Sequence, residues 1–282
     1  KNKKNLSIEE SKEMFSLIMS GKINNETLEE ILINLSIKGE AIEEITGGVL
    51  ALREKCKNIW FKGDLIDTCG TGGDEKNTLN ISTATAILTA ACGVYVAKHG
   101  NRAVSSKSGS SDVLSELGVN INADTKKVSN CLNKEGLCFL MAPIYHSAMK
   151  NVINVRSSLK VKTIFNLLGP LLNPANANRQ LIGVYSKKWM LPIANCLKDL
   201  SIKKAWVVHG EDGLDEVSTS AKTNVIEVKD NKIKKFIINP EKFGIKSVSL
   251  SKIKGRDPLY NANAIIKLFS NNRFNKHFKD IV

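Results

Sequence analysis

Three stretches of the sequence carry residue types suited to holding a phosphorylated ligand. The first is Gly70-Thr71-Gly72-Gly73-Asp74, followed after Thr78 by Asn80-Ile81-Ser82-Thr83. Glycines let backbone N–H groups approach an anion closely. A hydroxyl-rich helix start adds unpaired N–H donors and the positive end of a helix dipole, about half an elementary charge. The spacing is not GxGxxG and no Gly-Lys-Ser/Thr closes the loop, so neither common nucleotide-phosphate fingerprint applies. The second stretch runs from Lys98-His99-Gly100-Asn101-Arg102-Ala103 through Val104, Ser105 and Ser106 to a helix opening near Ser110. Its two cations, amide and hydroxyls make a second anion-binding device opposite the first. The third is Gly210-Glu211-Asp212-Gly213-Leu214-Asp215-Glu216-Val217-Ser218. In extended chain the adjacent Asp215 and Glu216 point to opposite sides, an arrangement for two separate hard cations rather than one chelate. Mg²⁺ accepts one or two carboxylates and completes its shell with phosphate and water. Singly, these are a glycine turn, a solvated basic loop and solvated acids. Together they describe a phosphate that arrives with metal.

The elements that must position these stretches fall into two patterns. The first sixty residues read as helices. Ser7 and Glu10 form a capping box ahead of Met14, Phe15, Ile18 and Met19, and a second helix over 25–38 stops at Gly39. A third helix spans 41–55, and the short connections imply an antiparallel cluster. From residue 64 the pattern becomes apolar strand, loop and helix, repeated. Strands are expected at 65–69, 94–97, 138–141, 181–184 and 205–208, with helices at 81–92, 113–117 and 189–200 between them and a helical run at 146–155. Alternation of this kind favours a largely parallel sheet covered on both faces, with ligands beyond the carboxyl ends of the strands. All three chemical stretches follow strands.

Bulk composition narrows the class further. Hydrophobic content of 42% and charged content of 24% suit a soluble globular protein. The net charge of +13 raises nucleic acid or an anionic surface as partners. Only six of the 41 basic residues are Arg, however, and the lysines are scattered rather than clustered. That is the pattern of a solvated surface. The six cysteines contain no CxxC pair and read as reduced thiols of a cytoplasmic protein. No secretory leader is expected. The uncharged stretch 77–97 is rich in Asn, Ser, Thr and Gly, and is expected to be buried core rather than a membrane span.

The motifs GTGGD (70–74), NIST (80–83), KHGNRAVSS (98–106), SGSSDVL (108–114), TIFNLLGPLLNP (163–174) and GLDEVS (213–218) occur in one order. By this set the chain resembles the anthranilate phosphoribosyltransferase family over most of its length. The resemblance implies an α/β fold: a small all-helical domain plus a larger α/β domain with a mostly parallel central sheet flanked by helices. It implies helical residues 1–62 joined by a returning segment about 157–178, α/β residues 63–282, and a homodimer through the helical domains. It places phosphoribosyl pyrophosphate (PRPP) on Gly70, Gly73, Asp74, Thr78, Asn80, Ile81, Ser82 and Thr83. Lys98, His99, Gly100, Asn101, Arg102, Ala103, Val104, Ser105, Ser106 and Ser110 complete that set. Mg²⁺, as two ions of which one or both arrive with pyrophosphate, falls to Ser82, Asp215 and Glu216. Anthranilate falls to Gly70, Asn101 and Arg156, where a guanidinium fork suits a carboxylate.

The implied reaction moves a phosphoribosyl group to the amine of anthranilate. It works by positioning and charge neutralisation through Lys98, Asn101 and Arg156. No residue serves as acid or base, and His99 and His146 are positional. Three departures stand out. Ser157 follows Arg156 where the family has a second Arg, and Tyr145-His146-Ser147 stands where it has His-His-Pro. The family also continues into a last helical segment beyond the position of Val282. The first two departures border the anthranilate side. A non-catalytic nucleic-acid-binding relative of the same fold is the alternative that the charge favours. The acids of GLDE and Arg156 count against it, and a nucleoside phosphorylase would carry different phosphate loops.

Overall fold

The computed structural model describes residues 4–103, 107–159, 161–270 and 275–282. It opens with helices α1 (Ile8–Met19), α2 (Asn25–Lys38) and α3 (Ile42–Glu54). Ser7 caps α1 as its sequence requires: its Oγ accepts from the Glu10 N–H at 3.1 Å while its own N–H donates to Glu10 Oε2 at 2.8 Å. Asn24 caps α2 and Gly39, at φ 85°, ends it. Phe15, Ile18, Leu28, Leu32, Ile45 and Val49 bury the shared apolar face.

The α/β part follows. Strand β1 (Ile66–Gly70) leads through the glycine loop to α4 (Ile81–Ala91) and β2 (Val96–Gly100). Next come α5 (Ser110–Glu116), α6 (Thr125–Glu135) and β3 (Leu137–Met141). Then α7 (Ala142–Tyr145), a 3-10 turn (Ser147–Asn151), α8 (Ile153–Ser158) and α9 (Phe165–Leu168) return the chain to the helical layer. There Phe165 meets Phe15 edge-on at 5.8 Å, and the Arg53 guanidinium donates to the Leu171 carbonyl at 2.7 and 3.0 Å. Strand β4 (Arg179–Gly183), α10 (Met190–Asp199) and β5 (Lys204–Gly210) resume the sheet. The hairpin β6 (Thr223–Lys229) and β7 (Lys232–Ile238), then α11 (Pro258–Phe269) and α12 (Lys276–Ile281), follow it.

The seven strands lie in the order β3-β2-β1-β4-β5-β6-β7, parallel from β3 to β5 and antiparallel across β5, β6 and β7. The expected strands are present with shifted ends. The β6–β7 hairpin is an addition to the sequence reading, turned by Asp230 and Asn231 at φ 50° and 59°. The expected helix at 146–155 is divided, because His146 leaves helical geometry at φ −114°, ψ 55° and the chain restarts as a 3-10 turn. No helix among the described residues is long and apolar enough to cross a membrane. Stretch 77–97 forms α4 and the start of β2 instead.

One feature of the sheet prepares the site. Strands β1, β2, β4 and β5 each end on glycine, at Gly70, Gly100, Gly183 and Gly210, and Gly70 lies in register with Gly183. The carboxyl edge is therefore a rim of nearly bare backbone.

Candidate active site

The glycine loop leaves β1 pinned on both sides. The Thr71 N–H donates to the Gly183 carbonyl at 2.9 Å, and the Tyr185 N–H donates to Thr71 Oγ1 at 3.0 Å. Gly72 and Gly73 take φ of 62° and 76°, then Glu75 and Asn77 take 61° and 52°. Left-handed geometry at two non-glycine residues is strain held by its surroundings. The far side supplies the hold. Leu79 N–H donates to Ile253 O, Gly255 N–H donates to Asn77 O, and Thr78 forms a bridge with Lys254. Asn80 opens α4 without capping it, since its amide donates to Ser108 O at 3.3 Å and accepts from Asn261 at 2.8 Å. The Ser82 N–H turns to Glu216, and among the described residues the buried Thr83 Oγ1 has no hydrogen-bond partner.

The second device differs from its sequence reading. Lys98 and His99 lie inside β2 and are buried, rather than in a loop beyond it. A buried ammonium needs partners. Lys98 Nζ donates to Thr68 O at 2.5 Å and Ser82 Oγ at 3.3 Å, and its charge acts on both Asp67 and Glu216. Asp67 is fully buried, and burial raises its pKa against the pull of Lys98. It accepts from the His99 N–H at 3.2 Å and from Asn173 at 2.8 Å, and Asn173 also donates to Ala97 O at 2.7 Å. Asp67 and Asn173 thus lock β1, β2 and the chain after α9 together. The sequence reading passed over both. An acid and an amide inside apolar stretches were the available signal.

Asn101 and Arg102 are exposed beyond β2. Arg102 pairs with Asp112 at 3.4 Å, and Ser110 Oγ donates to Asn101 O at 3.4 Å. This folds the loop onto the start of α5. Val104, Ser105 and Ser106, expected in the same set, lie outside the described residues.

The loop after β5 lies across the strand ends. A Cβ on Gly70 would sit 2.8 Å from Asp215 Oδ2, and one on Gly183 would sit 1.5 Å from the Asp215 carbonyl oxygen. At Gly183 the obstacle is backbone, so only glycine permits that approach; at Gly70 it is a carboxylate oxygen, which a side chain there would push aside. Asp215 Oδ2 accepts from the Gly72 N–H at 3.1 Å, and the Asp215 N–H donates to Asp74 Oδ2 at 3.4 Å. Glu216 turns the other way, to the Ser82 N–H and Lys98, so the two acids serve different halves of the site. Burial raises the Asp215 pKa well above the carboxylate range, reinforced by Asp74 and Glu216. Burial likewise pushes Glu216 up to about 7, against Lys98 and with Asp74.

Among the described residues no three His, Cys, Asp or Glu side chains form a ready-made metal cage. A carboxyl cluster that repels itself nevertheless fits a divalent cation, which supplies the missing positive charge. Mg²⁺ in particular needs only one or two protein carboxylates.

On the other flank Arg156 stacks over the Phe165 ring at 5.1 Å, half-buried, and burial lowers its pKa. Among the described residues no hydrogen bond or ion pair engages its guanidinium, and none joins it to Gly70 or Asn101. Nearby, His99 and His146 meet edge-on at 5.2 Å. One ring bonds the Gly169 backbone, the other that of Leu172, and both Nε2 atoms are buried without partners among the described residues. Burial lowers their pKa values to about 3 and about 4, so both are neutral at pH 7. Ser157 is exposed and bonds the Ile153 carbonyl, while Tyr145 is buried in the core.

Two loops and a carboxyl cluster thus meet at the carboxyl edge of a mostly parallel sheet that has a helical layer beside it. The family model described as "Glycosyl transferase family, a/b domain" matches residues 62–282, and "Glycosyl transferase family, helical bundle domain" matches residues 1–56. Anthranilate phosphoribosyltransferase of Pelagibacter ubique is 47% identical over 278 residues, covering 98% of this chain and 84% of that protein. The Clostridium kluyveri protein of the same name is 50% identical over 266 residues, covering 94% and 79%. Among solved structures, anthranilate phosphoribosyltransferase from Thermus thermophilus superposes with a TM-score of 0.93 at 38% identity, covering 99% of this chain and 83% of that one. The Saccharomyces cerevisiae enzyme in complex with PRPP and Mg gives 0.88 at 28%, covering 98% and 81%. The chain belongs to the anthranilate phosphoribosyltransferase family.

Proposed function

We infer that this chain transfers the phosphoribosyl group of PRPP to the amine of anthranilate in tryptophan biosynthesis, giving N-(5-phosphoribosyl)anthranilate and pyrophosphate. The observation that carries the reading is the set of carboxyl groups at Asp74, Asp215 and Glu216, folded directly onto the glycine loop and beside Lys98. A nucleic-acid phosphate would be repelled by it. A pyrophosphate accompanied by Mg²⁺ is suited to it.

In the reaction the bond from the anomeric carbon to pyrophosphate breaks and a bond from the amine nitrogen forms, with the amine proton passing to solvent. Mg²⁺, as two ions held with Ser82, Asp215 and Glu216, would neutralise charge on the departing pyrophosphate. Gly70, Gly73, Asp74, Thr78, Asn80, Ile81, Ser82 and Thr83 form one wall for the donor. Lys98, His99, Gly100, Asn101, Arg102, Ala103 and Ser110 form the other, with Val104, Ser105 and Ser106 assigned to it from sequence. Lys98 is already fixed in place, so its charge needs no reorganisation as the leaving group forms. Arg156 takes the anthranilate carboxylate, with Gly70 and Asn101 completing the acceptor side. An aromatic amine is neutral at pH 7, so alignment rather than a strong base is what attack requires.

We place the division of the chain at 1–62, with a returning segment about 157–178, against 63–282. The helical part is the proposed homodimer contact and the cytoplasm the proposed compartment. Loss of anthranilate fluorescence on adding PRPP and Mg²⁺ tests the function. Unchanged fluorescence with folded protein, alongside tight binding of single-stranded DNA in moderate salt, would replace the reading with a nucleic-acid-binding one.

A further inference from the structure

Lys162 lies between α8 and α9, outside every motif discussed above, yet three parts of the molecule meet on it. Its carbonyl accepts from Ser36 Oγ of α2 at 3.0 Å. Its ammonium donates to the Gly73 carbonyl at 2.6 Å and sits 3.9 Å above the centre of the Tyr185 ring. Tyr185 in turn holds Thr71 through its N–H, so Lys162 grips the glycine loop directly at Gly73 and indirectly at Thr71.

The loop needs such a grip. Two of its residues, Glu75 and Asn77, hold left-handed backbone without being glycine, and such geometry persists only where neighbours over-determine it. Gly72 and Gly73 beside them are free to take many conformations unless something fixes them. The exit is held by backbone bonds to 253–255, and the Thr71 edge is held by β4. At Gly73 the hold is the lysine side chain. Asp74, the next residue, is the one whose carboxylate faces Asp215. Arg156 stands six residues upstream of Lys162, on α8 where the chain enters the returning segment.

We propose that Lys162 is a positioning residue that ties the acceptor-carrying segment to the donor's glycine loop, setting Gly73 and Asp74 in their binding register. It touches no reacting atom. The proposal rests on the site reading above, and the test separates the two.

Titration calorimetry of Mg²⁺–PRPP is run on the wild type, Lys162→Met and Lys162→Arg, with melting temperatures and steady-state kinetics. Met keeps the stem over Tyr185 and removes the charged donor. An exposed charge-assisted hydrogen bond at this strength predicts about a fivefold weaker donor Kd in Lys162→Met. Arg should bring the Kd back to within about twofold of the wild type, because it restores a charged donor over the same ring. Melting temperature and anthranilate KM at saturating donor should stay unchanged. An unchanged donor Kd in Lys162→Met overturns the proposal, as does a weaker Kd that comes with a lowered melting temperature and no rescue by Arg. A wild type that binds donor without turnover removes the proposed reaction and leaves the role of Lys162 standing. A wild type that does not bind donor overturns both.

Discussion

The proposed donor edge and the proposed acceptor flank of this site are built by opposite means. At the donor edge, regular strands end together on glycines and backbone groups do most of the holding. Its charged groups answer one another at short range: Asp67 and Glu216 act on Lys98, and Asp74 on Asp215. On the acceptor flank the chain breaks into α7, a 3-10 turn, α8 and α9, the longest of them six residues. Side chains hold those pieces, as where Asn151 donates to the Met19 carbonyl at 2.8 Å. The half-buried cation there, Arg156, rests on an aromatic face and has no anionic partner among the described residues. The donor edge carries its electrostatics complete but for a cation, whereas the acceptor flank offers an uncommitted charge on an apolar support. The two should therefore fail differently when altered.

The largest effect should come from the donor edge. Asp215→Asn with Glu216→Gln should reduce Mg²⁺-dependent turnover by about 10³-fold or more, in line with losing the groups that neutralise a leaving group. Circular dichroism should show the fold retained. Unchanged turnover would strip both residues of the metal role and erase the contrast.

A smaller and more selective effect should follow Arg156→Met. Loss of a charge-assisted contact at a half-buried site should raise the KM for anthranilate about 10- to 100-fold. The KM for PRPP should move little. A parallel rise in both constants would mean that the flanks are not separable.

The smallest effect concerns stability and pH. His99 and His146 have folded pKa values near 3 and 4, below the ordinary value of about 6.5. Below that value the unfolded chain takes up protons that the folded pair refuses. Stability conferred by the neutral pair is thus complete above about pH 6.5 and is lost as pH falls towards 4. The urea midpoint should drop between pH 7.5 and pH 5, and the drop should shrink in His99→Gln and His146→Gln. The same drop in wild type and both variants would assign acid sensitivity elsewhere.

The contrast also explains what the sequence made legible. The helical layer, the parallel strands and the three chemical stretches could be read because each follows a local rule, such as a capping box, an apolar strand or a glycine turn before a helix. Lys98 was placed a few residues too far out, because charge argues for a loop when the opposing Asp67 and Glu216 are not yet in view. The β6–β7 hairpin was missed although Asp230-Asn231 between apolar runs is a turn signal. The division of the run at 146–155 was hidden for a physical reason. Its break at His146 is tied to a ring contact with His99, 47 positions earlier in the chain, which no local pattern encodes. Asp67, Asn173 and Lys162 share that cause, since each acts through partners distant in sequence.

The glycine rim has a consequence for how such a protein can change over generations. Where Gly183 meets the backbone of Asp215, a single added methyl group would collide with it. Any replacement of Gly183 would displace the loop that carries Asp215 and Glu216. The proposed acceptor flank is made of short pieces, and Ser157 there is exposed, its hydroxyl bonded to the Ile153 carbonyl of its own helix. Inheritance is constrained where glycine meets backbone and more permissive where exposed side chains stand on short helices.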